Sequence, residues 1–175
     1  MSVEVVWMLI DTTLKVALGG VIAISAAWLF QKNKVGRGAA GSPSGRRLEI
    51  FEHISGNVGQ VSHNFAKYSA LVIESTRFGK TWPAARRMEL ERVNEVLVGE
   101  FDKLADAEAK LLMLGEKTME KTLRMYAAKI ALFRKQVYVG RQDISDQEIA
   151  QLKSSIMVLR EQFYELLSKR YDRLL

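Results

Sequence analysis

From Leu48 onward, apolar residues recur every three or four positions, the spacing that gathers them on one face of an α-helix. Phe51, Ile54, Val58, Val61, Phe65, Tyr68 and Val72 predict a helix with a narrow buried seam, running to about Phe78. Gly79-Lys80-Thr81-Trp82-Pro83 reads as a turn, and Pro83 suits the first position of a following helix. A second seam comprises Leu90, Val93, Leu97, Leu104, Ala107, Leu111 and Leu114. One of its positions falls on Glu100, with Phe101 beside it.

Beyond Gly115 the register slips, then resumes as Leu123, Tyr126, Ile130, Phe133 and Val137. Two architectures fit. A break at Gly115 gives a compact four-helix bundle. A kink there gives one rod from about Pro83 to Val139, with the outer helices folded back on its halves. Val139 to Asp143 is a turn. Ser145 and Glu148 have capping-box spacing, and Ile144 can staple onto Ile149. Ile149, Leu152, Ile156, Leu159, Phe163 and Leu166 form the last seam. Long helices joined by short turns pack antiparallel, so residues 48–175 are predicted to be an antiparallel helical bundle or coiled-coil domain.

The N-terminus carries a different pattern. Val16 to Phe30 has no charged residue, and Val5 to Ile10 is also apolar. A helix from Val5 to Phe30 would be about 39 Å long, enough to cross a bilayer with tilt. Residues 1–30 are therefore predicted to hold one transmembrane helix, making the chain all-α. Asp11 and Lys15 interrupt the run, and each costs about 2.5–3.5 kcal/mol at the bilayer centre. Their spacing lets them pair on one face, either as a tolerated interfacial pair or as an intramembrane polar contact with a partner helix. Gly19, Ala23 and Ala27 recur every fourth residue, a face suited to self-association, although small residues are common in any membrane helix.

Charge sets the orientation. The net charge is +6, and residues 31–47 supply most of it through Lys32, Lys34, Arg37, Arg46 and Arg47, with no acid. Residues 48–175 are close to balanced. By the positive-inside rule the N-terminus is outside the cell membrane, and the chain from residue 31 is cytoplasmic in a single-pass topology. A cleaved signal peptide fits less well, because the start lacks a basic region and the segment after Phe30 is strongly positive. The 31–47 segment, rich in glycine and serine, reads as a flexible juxtamembrane linker whose five cations touch anionic lipid headgroups. It has no interleaved aromatic residue for stacking on bases, so no nucleic-acid partner is expected.

Candidate chemistry is sparse. The chain has no cysteine, which excludes disulfides and thiolate chemistry. Gly79-Lys80-Thr81 lacks the earlier glycine of a phosphate loop, since Glu74 stands there. His53 and His63 are ten residues apart on one helix, too far to share a metal. No catalytic set, cofactor or small-molecule substrate is indicated. The polar, glycine-containing stretch Ser55 to Asn64 is unusual inside a helix. It reads as close helix packing or as a docking surface for a protein partner, with Asn57, Gln60, His63 and Asn64 as the candidate contacts. These features favour a membrane-anchored helical interaction or scaffold protein. The alternatives are an effector whose oligomerising span perturbs the bilayer, and an enzyme of unrecognised type.

Overall fold

A computed structural model describes residues 42–175. Among these residues every regular element is helical. Helix α1 spans Pro43–Phe78 and a short 3₁₀ turn spans Gly79–Thr81. They are followed by α2 (Ala84–Gly99), α3 (Phe101–Met113), α4 (Lys117–Gln136) and α5 (Asp146–Asp172).

Local chemistry explains the boundaries. The Gly45 N–H donates to Ser42 Oγ at 3.0 Å, and Pro43 occupies the first helical position, where a missing N–H costs nothing. Helix α1 thus begins five residues before Leu48, so Pro43 to Arg47, read from sequence as the end of a flexible linker, are helical. The apolar spacing marks only where a helix starts to bury a face, not where its hydrogen bonds start. At the other end Gly79 has φ +53°, and a side chain there would collide with Gln142.

Helices α2 and α3 are two lengths of one rod. Glu100 between them keeps right-handed helical geometry, and its N–H bonds to the Val96 carbonyl at 3.1 Å. Gly115, by contrast, is a true terminus. Its φ is +76°, its N–H bonds to Leu112 O at 3.0 Å, and the next N–H, of Glu116, reaches back to Leu111 O at 2.9 Å. This is the Schellman pattern, which ends a helix on a left-handed glycine. The bundle alternative therefore holds and the single long rod does not. Ser145 and Glu148 form the predicted reciprocal cap on α5.

Cross-bundle contacts define the topology. Asn57 meets Lys103 and His53 meets Lys110, so α1 and α3 are antiparallel. Asn94 meets Arg134, so α2 opposes α4, and Glu116 meets Arg170, so α4 opposes α5. Helices α1 and α5 are antiparallel too, through Arg77–Asp146 and Glu52–Tyr171. The result is a four-rod, up-down-up-down helical bundle. All seven predicted seam residues of α1 are buried, as are all five of the third seam. On α5 the seam runs through Leu167, with Leu166 only partly covered.

Candidate functional site

The polar stretch of α1 is built into three different environments. Ser62 and Asn57 point to neighbouring helices. Ser62 Oγ donates to Val58 O at 2.7 Å and lies 2.9 Å from the Tyr126 hydroxyl. Since serine has one proton, the Tyr126 hydroxyl is the donor to Ser62. Burial pushes the Tyr126 phenol above its usual range, and the Ser62 bond partly offsets this. Asn57 Nδ2 donates to the Lys103 carbonyl at 3.4 Å. Asn64 is buried, and its Nδ2 has no acceptor among the described residues.

Gln60 and His63 are exposed on α1, together with Gly56, Gly59, Ala66, Lys67 and Ala70. The four candidate docking residues therefore divide. Gln60 and His63 are available at the surface, Asn57 is half-buried against α3, and Asn64 is in the interior. A side chain at Gly56 would meet nothing within 4 Å, and one at Gly59 would come within 3.6 Å of the Tyr164 hydroxyl. That hydroxyl donates to Ser55 O at 3.2 Å.

Helix α5 lies along this stretch. Asp146, Lys153, Arg160, Tyr164 and Tyr171 recur at helical spacing on its α1-facing row. The outer members are engaged: Asp146 with Arg77 at 3.4 Å, Tyr164 with Ser55, and Tyr171 with Glu52 at 2.9 Å. Lys153 and Arg160, in the middle, are half-buried and carry no ion pair among the described residues. Arg160 Nε is enclosed by protein and has no acceptor among the described residues. In the sequence of α5 these two cations are obscured by the neighbouring apolar seam. Their seven-residue spacing was the available signal.

Two further places carry polar or titratable side chains. A cleft of about 350 Å³ between α4 and α5 is lined by Lys129, Gln136, Arg141, Ile144, Gln151 and Leu152. Arg141 there is already committed to Asp143 at 3.1 Å and to the Gln136 carbonyl. Glu108 is pushed above the usual carboxylate range, first by burial and then by the nearby Glu120 charge. Among the described residues no three His, Cys, Asp or Glu side chains come together as a metal site requires.

Arg86, Lys169 and Arg170 form ion pairs. Arg86 grips Glu74 with two nitrogens and also pairs with Glu89. Glu74 additionally accepts the Trp82 indole N–H at 3.0 Å. These bonds hold the Glu74 carboxyl below its usual range. Lys169 pairs with Glu165 at 2.8 Å.

The membrane features read from sequence lie outside the described residues: Asp11, Lys15, Gly19, Ala23 and Ala27, and the linker cations Lys32, Lys34 and Arg37. Arg46 and Arg47 are described and are exposed in the opening turns of α1. Among the described residues no helix is long and apolar enough to cross a membrane. No family model, no curated protein and no solved structure matches the chain.

Proposed function

We propose that this is a membrane-anchored helical interaction or scaffold protein, with the bundle on the cytoplasmic side and its outer faces as the working surface. The observation that carries the reading is the contrast between core and surface on α1. Ile54, Val58, Val61 and Val72 are fully enclosed, while the polar and small residues Gly56, Gln60 and His63 of the same helix are exposed. The core is filled by apolar side chains from every rod, so binding is assigned to the exterior.

The opening of α1 supports the membrane reading. Its first turn has no acid, and Arg46 and Arg47 stand near the positive end of the helix dipole. Cations there are disfavoured by about 0.3–1 kcal/mol each. An anionic lipid surface offsets that, at roughly 1 kcal/mol per basic residue near the headgroups.

The test is purification of the full chain from membranes in mild detergent. A protein partner recovered in stoichiometric amount supports the proposal. A monodisperse, partner-free monomer with no crosslinked neighbour in cells contradicts it.

A further inference from the structure

Lys153 and Arg160 stand seven residues apart, about 10.5 Å along α5, and neither is paired with an acid among the described residues. The ends of their row are paired to α1, so the antiparallel register sets the two cations opposite residues 59–70 of α1. Helix α1 presents small residues there, and adds His63 and Lys67 at the surface. Nearby acids do not neutralise the group. Glu52 accepts from Tyr171, Glu165 is paired with Lys169, and Glu161 is exposed. Of the Arg160 nitrogens only Nε is enclosed, so a ligand from outside bonds the terminal guanidinium nitrogens.

Resting on the interaction reading above, we propose that the α1–α5 seam between Gly56 and Lys67 docks an acidic helix of a partner protein, with carboxylates pairing to Arg160 and Lys153. The two-turn separation of the cations matches acids seven residues apart on one helix face. The glycines let a backbone approach closely, as a helix requires and a lipid headgroup does not. Arginine in this setting favours a carboxylate held by two parallel hydrogen bonds.

The experiment uses the full chain in cells, with a photoreactive benzophenone amino acid at Gly56, where there is open space, or at the exposed Leu132 on α4. Adducts are mapped by mass spectrometry. The proposal predicts a Gly56 adduct to an acid-rich segment of another protein. Its yield falls roughly tenfold in Arg160→Gln, and likewise in Lys153→Gln, while circular dichroism is unchanged. Adducts from Leu132 alone overturn this surface and leave the interaction reading standing. Adducts from neither position overturn both. A Gly56 adduct to lipid, to nucleic acid, to a second copy of this chain or to a segment without acids overturns the assignment of the partner. So does an adduct insensitive to both substitutions.

Discussion

The Tyr126 hydroxyl, on α4, donates to Ser62 Oγ, on α1, across 2.9 Å in a position where Tyr126 is 1% exposed. The bond joins two rods that run parallel, and the arrangement is asymmetric. Ser62 also holds the Val58 carbonyl, whereas the Tyr126 hydroxyl has no other hydrogen bond among the described residues. Ser62→Ala therefore strands a buried donor and costs about 1–3 kcal/mol. Tyr126→Phe leaves Ser62 with its Val58 bond and costs less, about 1 kcal/mol. The double variant should sit close to Tyr126→Phe alone. Urea unfolding of the four proteins measures the cycle, and equal costs for the two single changes would refute the donor assignment.

Two glycine-to-alanine changes should have opposite signs. Gly115 meets no neighbour but holds φ +76°, so alanine there is strained by about 1–2 kcal/mol. Gly56 also has open space but lies within α1, where alanine favours the helix by up to about 1 kcal/mol. Thermal melts should show Gly115→Ala below the parent and Gly56→Ala above it.

Two glutamates should respond oppositely to pH. Burial and the Glu120 charge raise the Glu108 pKa above its ordinary 4.5, so the folded state holds that proton more tightly than the unfolded one. Stability from this group then falls as pH climbs from 4.5 through the folded value. Glu108→Gln should raise the melting temperature at neutral pH, with the gain vanishing in acid. Glu74 is the reverse, because Arg86 and Trp82 lower its pKa. Its contribution is present above the unfolded value and is lost as pH falls through the folded one. Glu74→Gln should therefore destabilise at neutral pH and converge on the parent in acid.

Much of the bundle was legible because apolar spacing reports burial directly. Every predicted seam residue of α1, from Phe51 to Val72, is in the core. Gly115 was ambiguous because a helical glycine and a left-handed terminal glycine look alike in sequence. The distinction lies in the Glu116 N–H reaching back to Leu111, a backbone bond with no side-chain signature. The polar stretch was recognised as a unit yet splits in three dimensions, since helical rotation sends Asn64 inward and His63 outward. Arg160 is inconspicuous in the sequence because a lone arginine in a charged helix resembles an ordinary surface residue. Its missing acceptor appears only once α1 and α5 are paired.

The membrane anchor is the claim on which the proposed role depends most. Membranes from cells expressing the full chain, tagged with a fluorescent reporter after Leu175, are washed in alkaline carbonate and tested for protease access. The account predicts that the chain stays in the membrane pellet and that its reporter is shielded in intact cells. Release into the supernatant, or a reporter cleaved from outside, would contradict it.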